Sequence, residues 1–351
     1  MIIQNPAPEP TILDKIDRFI ARYVAMPNRE RHLVSVWVCH TWLFLDSPPD
    51  TTPYLYVYSA QRGSGKTLLG IELMEVLCFN AQSVGGITGP ALFTLVDELH
   101  PTLLIDEVDT IFAGASNLPL QRVLNTGYRR GGKEARANGV FSTFCPKSLV
   151  GIDNSRMPDT TRDRCIPIHM NRATGEEMGR ISPFFHYQVE DELDALTDEL
   201  AEWARDNGNA LRQYEPEYRQ GELASPRQWE ITRTMLQVAR LFGTEEHTRN
   251  MMVELLEQKG QAVSTPEQDL LAYIREYFVE NRKEKAQTTD LVATIQRDPR
   301  FSALTGPILA NKLRPFGVAP KAIRFFQGKG GVQKGYMKGD FIDAWERYLN
   351  D

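Results

Sequence analysis

Apolar residues recur at helical spacing over the start of the chain. Thr11 and Asp14 form the pattern of a capping box, which predicts that a helix begins there, and a second helix is predicted after Asn28. The stretch SPPDTTP at 47–53 then interrupts the pattern with residues typical of turns. We interpret residues 1–52 as an N-terminal helical collar that packs against the domain after it.

Short apolar runs alternate with helical segments in the next part of the chain. Tyr54 to Ser59 and Thr102 to Ile105 look like buried parallel strands, and Val140 to Thr143 predicts a further strand. Strands that alternate with helices predict a doubly wound α/β domain, which we place at residues 53–179.

The remainder is mainly helical. Asp191 to Arg205 and Ser225 to Phe242 have helical periodicity throughout, so residues 180–262 are predicted to form a helical lid on the α/β core. Residues 263–351 contain three helix-length stretches, a strand at Ala322 to Phe326, a turn rich in Gly and Lys, and a final helix. Helices followed by a strand and a glycine-rich tongue predict a winged-helix-like domain.

The segment AQRGSGKT at 60–67 lies between a predicted strand and a predicted helix, and it matches a phosphate-binding loop except that Ala60 replaces the first glycine. Its backbone N–H groups are expected to wrap the β-phosphate of ATP, while Lys66 reaches the β- and γ-phosphates and Thr67 is a ligand of Mg²⁺. A plain glycine turn before a helix is the alternative. The predicted nucleotide-binding residues are Gly63, Ser64, Gly65, Lys66 and Thr67.

Two adjacent acids end the apolar run of PTLLIDEVD at 101–109. Asp106 is predicted to hold Mg²⁺, and Glu107 is predicted to polarise the attacking water. Because like charges at a strand end repel each other, a purely structural role is a poor explanation for this pair. A small-molecule kinase needs no water-activating glutamate, so the pair favours ATP hydrolysis.

Hydroxyl groups follow the predicted strand at Val140 to Thr143. Either Ser142 or Thr143 could contact the γ-phosphate or the attacking water, and both could equally be ordinary strand-end hydroxyls. We take Thr143 as the candidate catalytic sensor.

Two arginines further along the chain suit contacts with phosphate. Arg164 precedes an apolar strand and is predicted to act as an arginine finger on a neighbouring subunit, with a salt bridge to Asp159 or Asp163 as the alternative. Arg227 lies in the first turn of a predicted helix, where positive charge opposes the helix dipole, so it is a candidate nucleotide contact or a plain surface arginine.

Basic charge is concentrated in two places. The net charge is −6, yet residues 263–351 carry 14 Lys or Arg against 11 Asp or Glu, and no acid lies between Asp298 and Asp340. A second basic stretch, GYRRGGKEAR at 127–136, is predicted either to line a central pore or to be a solvated connection. The candidate DNA contacts are Arg129, Arg130, Lys133, Lys312, Arg314, Lys321, Arg324, Lys329 and Lys334.

Other sequence features argue against membranes and secretion. The chain has no apolar run of the roughly 20 residues that a membrane helix needs and no signal-peptide pattern at its start. The four cysteines lie far apart, without the close pairs of zinc sites or disulfide scaffolds. We expect a cytoplasmic location and no membrane partner.

Taken together, several motifs resemble the P-loop ATPase family of domain of unknown function 3631. The segments that carry the resemblance are HTWLF (40–44), TPYLYV (52–57), SGKT (64–67), PTLLIDEVD (101–109), LNTGYRRGG (124–132), FSTFCPK (141–147), MPDTTRDR (157–164) and GYMKGDFIDAWERYL (335–349), which span nearly the whole chain. The family occurs in actinobacteria, their phages and mobile elements, and it looks related to AAA+ and superfamily III helicases. The resemblance implies a P-loop NTPase core of the AAA+ type.

The function implied by the resemblance is that of a ring-forming DNA helicase or translocase that works with ATP and Mg²⁺. Its expected partners are DNA, further copies of the same chain in a hexamer, and other replication proteins. Two alternatives stay open: an ATP-switched replication initiator or helicase loader, and a defence or signalling ATPase whose basic end contacts a protein.

Overall fold

The computed structural model describes residues 9–85, 87–112, 118–137, 139–152, 157–262, 266–325 and 331–349. The chain divides into two compact units, Met1–Lys259 and Gly260–Asp351. Among the described residues, no helix combines the length and the apolar character needed to cross a membrane.

Unit 1 is built on a parallel sheet. Its strands are β1 (Tyr54–Tyr58), β2 (Ala81–Ser83), β3 (Thr102–Ile105), β4 (Lys133–Arg136), β5 (Gly139–Ser142), β6 (Lys147–Gly151) and β7 (Cys165–His169). Five of them form the sheet in the order β2-β3-β6-β1-β7, and every neighbouring pair is parallel. The carboxyl ends of all five strands therefore lie along one edge of the sheet. We call this the C-terminal edge and the opposite one the N-terminal edge.

Helices accompany the sheet, and most of them share one hydrophobic core with it. They are α1 (Ile12–Tyr23), α2 (Asn28–Trp42), a π-helical turn (Leu68–Leu73) continued by α3 (Met74–Leu77), α4 (Gly89–Leu99), α5 (Val108–Ile111), α6 (Leu118–Thr126), α7 (Asp159–Arg162), α8 (Gly175–Met178), α9 (Glu190–Gln213), α10 (Pro226–Arg240) and α11 (Glu245–Ala262). The capping box of Thr11 and Asp14 is confirmed at the start of α1. The segments predicted as collar and lid thus contribute to the same core as the sheet.

The helix after the phosphate-binding loop lies close against the sheet. A Cβ atom on Gly70 would collide with Val150 of β6 and would lie 3.2 Å from Cγ2 of Val57 in β1. The hydroxyl of Ser148 also donates to the carbonyl oxygen of Gly70 at 2.7 Å. Glycine is therefore required here for close packing of helix and sheet.

The predicted strand at Val140 to Thr143 is found as β5, but it does not belong to the parallel sheet of the α/β domain. β5 pairs antiparallel with β4 in a separate two-stranded hairpin, and Val140 is 63% exposed. The core strand in this part of the chain is β6, all five residues of which are buried. Because a parallel strand in a doubly wound sheet is covered on both faces, the exposed run could not have taken that place.

Unit 2 has its own hydrophobic core, which includes Phe278, Tyr336 and Phe341. Its elements are α12 (Pro266–Glu280), β8 (Lys285–Gln287), α13 (Thr288–Ile295), α14 (Gly306–Leu313), β9 (Lys321–Phe325), β10 (Gly331–Met337) and α15 (Ile342–Tyr348). The three strands form an antiparallel sheet in the order β8-β10-β9. The predicted strand near 322–326 is confirmed as β9, and Lys329 lies outside the described residues.

Candidate functional site

The phosphate-binding loop connects β1 to the helix that packs on the sheet. Gly63 and Gly65 have φ angles of +73° and +80°, which residues with a side chain rarely adopt. Lys66 and Thr67 are the first residues with helical backbone. The N–H groups at this helix start have no partner within the helix, so the loop has the geometry of an anion site.

The two predicted metal ligands lie near each other. The hydroxyl of Thr67 lies 3.5 Å from Oδ2 of Asp106, and Oδ1 of Asp106 accepts a hydrogen bond from the backbone N–H of Glu107 at 2.7 Å. A hydroxyl and a carboxylate oxygen are the hard ligands that Mg²⁺ prefers. The residues present therefore fit a nucleotide-bound Mg²⁺.

Glu107 has left-handed backbone geometry, with a φ angle of 50°. Such a conformation costs free energy in a residue other than glycine and is found disproportionately at functional sites. Glu107 directly precedes α5. The backbone N–H and the side-chain hydroxyl of Thr110 both donate to the carbonyl oxygen of Glu107, at 2.8 and 2.9 Å, and so begin the helix.

One cavity of about 350 Å³ joins the loop to the acids. It is lined by Ala60, Gln61, Arg62, Lys66, Thr67, Asp106, Glu107, Asp109, Thr110, Gly151 and Ile152. The hydroxyl oxygen of Ser64, within the loop, is buried and has no hydrogen-bond partner among the described residues. A phosphate oxygen would supply such a partner.

Asp109, which is not among the predicted site residues, has a structural role at this edge of the sheet. Oδ1 of Asp109 accepts from the backbone N–H of Ile152 at 3.2 Å, so it fixes the end of β6 beside the acids. The acidic spacing Asp106-x-x-Asp109 was visible in the sequence, but its partner strand β6 was not predicted. Residues 153–156, which follow in the chain, lie outside the described residues.

The structure does not support Thr143 as a sensor. Thr143 is fully buried before the amino end of β6, and its hydroxyl accepts from the hydroxyl of Thr126 at 2.9 Å. Its carbonyl oxygen lies 3.4 Å from Nζ of Lys147, the first residue of β6. These contacts belong to the N-terminal edge of the sheet, whereas the phosphate-binding loop lies at the C-terminal edge.

Arg164 directly precedes β7 and so also lies at the N-terminal edge. Its carbonyl oxygen accepts from the N–H of Tyr54, the first residue of β1, at 2.9 Å. Its guanidinium donates to the carbonyl oxygen of Thr160 and lies 5.9 Å from the ring centre of Tyr128. The predicted ion pair with Asp159 is instead made by Arg162, at 3.6 Å.

Arg227 does not lie beside the phosphate-binding loop of its own chain. Its guanidinium lies 4.9 Å from the ring centre of Tyr128 and pairs with Glu230 at 2.6 Å. Tyr128 accepts a backbone hydrogen bond from Thr52, ahead of β1. The start of α10 is therefore at the N-terminal edge, a position that sequence periodicity could not specify.

The basic stretch at 127–136 is a packed connection followed by β4. Arg129 pairs with Glu230, and the backbone N–H of Arg130 donates to the carbonyl oxygen of Asp50 at 2.8 Å. Lys133 is the exposed first residue of the β4–β5 hairpin.

The C-terminal cations fall into two groups. Lys321 is paired with Asp340 at 2.6 Å, which lowers its capacity to bind phosphate. Arg314, Arg324 and Lys334 are exposed, and Lys312 in α14 is half-buried. The β9–β10 hairpin thus presents Arg324 and Lys334 to solvent.

The chain is similar to one curated protein and, more distantly, to two solved structures. A protein of Saccharopolyspora erythraea described as an uncharacterized 28.9 kDa protein in the xis 5' region is 29% identical over 190 residues, which cover 51% of this chain and 68% of that protein. Among solved structures, Drosophila ORC bound to DNA aligns with 14% identity and a TM-score of 0.26 over 100% of this chain and 95% of that one. Cdc6p from Pyrobaculum aerophilum aligns with 13% identity and a TM-score of 0.27 over 91% and 93%. At these TM-scores neither structure establishes a shared fold.

A family model described as Protein of unknown function (DUF3631) matches residues 169–348. This match is shorter than the span of the motifs that suggested the resemblance, because it begins at the last residue of β7, after the phosphate-binding loop and the acids. It covers half of the chain and continues through unit 2. This chain therefore belongs to the DUF3631 family.

Proposed function

We propose that this chain binds ATP with Mg²⁺ and hydrolyses it. The observation that carries the proposal is the approach of Thr67 and Asp106 to 3.5 Å within a cavity that Lys66 and Glu107 also line. A bound Mg²⁺ would neutralise charge on the phosphates.

The residues of the chain divide the remaining work. The backbone N–H groups from Gly63 to Thr67 bind phosphate oxygens, and the ammonium of Lys66 adds positive charge to the same site. The carboxylate of Glu107 orients the attacking water and accepts its proton. The strand between β1 and β3 is β6, and its end at Gly151 and Ile152 lines the same cavity as the phosphate-binding loop and the acids.

The nucleotide site is tested by two substitutions with different expected effects. Lys66→Ala removes a contact to phosphate in the ground state, so ATP binding is lost. Glu107→Gln leaves binding intact and slows hydrolysis by at least about a hundredfold, because it removes the proton acceptor. The matched control is Glu98→Gln in α4, an exposed acid outside the cavity. A normal rate of ATP turnover in Glu107→Gln would contradict the assignment of Glu107 as the proton acceptor.

We further propose that the ATPase is a ring-forming oligomer that acts on DNA in replication. Three features support this. The motif resemblance points to AAA+ and superfamily III helicases, and the xis-region relative fits a phage or mobile-element setting. Unit 2 has the order helix, strand, two helices and a β-hairpin, which is the order expected of a winged helix with an exposed basic wing.

An ATP-switched initiator or helicase loader is the second candidate, favoured by the compact, separately packed unit 2 that carries the basic hairpin. Strand displacement on forked DNA supports the helicase or translocase. ATP turnover that DNA stimulates without displacement supports the loader. A rate of ATP turnover that DNA does not change supports a defence or signalling ATPase.

A further inference from the structure

Two arginines from distant parts of the chain share one aromatic ring. The guanidinium carbon of Arg227 lies 4.9 Å from the ring centre of Tyr128, and that of Arg164 lies 5.9 Å from the same centre. Attraction between a cation and an aromatic face fixes the direction of a guanidinium at modest cost in freedom. The ring therefore orients both side chains together.

Tyr128 is itself firmly held. It is 2% exposed, its carbonyl oxygen accepts from the N–H of Thr52 at 2.9 Å, and its ring meets that of Tyr54 edge-on at 6.0 Å. The preceding residue, Gly127, has no room for a side chain, and its carbonyl oxygen accepts from Nζ of the buried Lys147 at 3.1 Å. Tyr128 is thus a rigid support for the two arginines.

Both arginines are too far from the phosphate-binding loop of their own chain to reach it. Arg164 is level with Pro53 in the sheet, since Cys165 pairs with Tyr54. Parallel strands rise about 3.3 Å per residue, so the six positions from Pro53 to Ser59, at the start of the loop, span about 20 Å. An arginine side chain cannot cover that distance.

The charges around Tyr128 favour an anionic ligand. Glu230 accepts from both Arg227 and Arg129, so one carboxylate serves two guanidinium groups. Nε of Arg164 is buried, so only the terminal nitrogens of this guanidinium could reach a phosphate of another chain. Paired guanidinium groups with spare donors are suited to the oxygens of a phosphate.

We infer that Arg227 acts together with Arg164 in trans, and that the pair contacts the terminal phosphates of a nucleoside triphosphate bound by an adjacent copy of the chain, with Tyr128 as their positioning residue. This inference rests on the proposed function. It adds a second arginine to the predicted finger and places the predicted nucleotide contact of Arg227 at the site of a neighbouring chain.

Single variants give the first part of the test. Arg227→Ala retains ATP binding and turns ATP over at least about a hundredfold more slowly, in keeping with the size of arginine-finger effects. Arg227→Lys recovers only part of the rate, because lysine lacks the planar fork. The matched control is Arg240→Ala, which removes an arginine from the last turn of the same helix. Normal turnover in Arg227→Ala overturns the inference.

Mixtures of variants separate action in trans from action in cis. If Arg227 acts in trans, Arg227→Ala mixed with Lys66→Ala regains turnover, because some junctions combine an intact Lys66 with a neighbour that has both arginines. Arg227→Ala mixed with Arg164→Ala stays inactive, because neither copy has both. If Arg227 instead acts in cis and Arg164 in trans, the mixture with Lys66→Ala stays inactive and the mixture with Arg164→Ala regains turnover. Arg164→Ala mixed with Lys66→Ala must regain turnover, which also demonstrates subunit exchange; a failure there overturns the trans pair.

The support role of Tyr128 is tested with ATP binding and turnover measured side by side. Tyr128→Phe keeps the ring and is expected to keep the rate, whereas Tyr128→Leu is expected to lose turnover while ATP still binds. Equal loss in both variants contradicts the role of the ring. If Lys66→Ala and Glu107→Gln leave turnover unchanged, the proposed function fails; if they behave as expected but the mixtures follow the cis pattern, only this inference fails.

Discussion

The hydroxyl of Thr67 lies 3.5 Å from a carboxylate oxygen of Asp106, although these residues follow strands that are not neighbours in the sheet. β6 lies between β1 and β3 and brings its own end, at Gly151 and Ile152, into the same cavity. The residue that senses the γ-phosphate is therefore expected after β6 rather than after the β4–β5 hairpin.

The first prediction distinguishes a sensor after β6 from a sensor at Thr143, after the β4–β5 hairpin. Thr143→Val removes a buried hydrogen bond with Thr126, so it lowers the free energy of unfolding by about 1 kcal/mol and leaves ATP turnover unchanged. Asn154→Ala, at a position three residues beyond β6 in the sequence and outside the described residues, is expected to slow turnover at least about tenfold. Urea unfolding and steady-state turnover measure both effects. Slow ATP turnover in a folded Thr143→Val variant would support the prediction that Thr143 is the sensor.

A second prediction concerns the packing of the helix after the phosphate-binding loop. Gly70→Ala places a methyl group against Val150, so the free energy of unfolding falls by about 1–3 kcal/mol and ATP affinity falls as the helix is pushed from the sheet. Val150→Ala in the same chain makes room and recovers part of both losses. Gly175→Ala, where an added Cβ has nothing within 4 Å, is the matched control. A double variant no better than Gly70→Ala alone would contradict the steric cause.

The third prediction assigns DNA contacts to the β9–β10 hairpin. Arg324→Gln combined with Lys334→Gln weakens duplex DNA binding, and the log-log salt slope becomes shallower by up to roughly 0.9 for each lost phosphate contact. Arg300→Gln is the control, because that arginine is already held by Asp298 and Asp269 at 2.7 and 2.6 Å. Fluorescence anisotropy over a salt series gives the slopes. If only the control changes the slope, the DNA surface lies elsewhere.

A fourth prediction follows from the burial of His40. Desolvation lowers the pKa of His40 from 6.5 to about 3. Between pH 6.5 and about 3, His40 is protonated in the unfolded chain but stays neutral in the folded chain. The contribution of the neutral, buried His40 to the free energy of unfolding is therefore complete above pH 6.5 and is lost as the pH falls towards 3. The loss amounts to about 1.4 kcal/mol per pH unit.

His40→Phe is expected to flatten this part of the stability profile, whatever its constant packing cost beside Phe44. His186→Gln, at an exposed histidine, should leave the slope as it is. Urea unfolding between pH 4 and 7 gives the comparison. An equal slope in His40→Phe and the parent chain would show that other groups control acid unfolding.

The sequence by itself determined the parts of the site that are contiguous in the chain. The loop from Gly63 to Thr67 and the pair Asp106 and Glu107 follow strands whose apolar runs are local signals, and strand, loop and helix succeed one another within a few residues. The capping box of α1 is similarly local. Such features depend on backbone conformation and on neighbours in sequence, so a pattern is enough to predict them.

Tertiary structure alone decided which residues share an edge of the sheet. The insertion of β6 between β1 and β3 depends on long-range burial. The local pattern of Val140 to Thr143 predicts a strand, but it does not show that this strand, β5, lies outside the parallel sheet with Val140 63% exposed. Arg227 shows the same limit, because helical periodicity gives the face of a helix but not the edge of the sheet at which the helix begins. Only the packing of α10 against the chain ahead of β1 places Arg227 over Tyr128, beside Arg164.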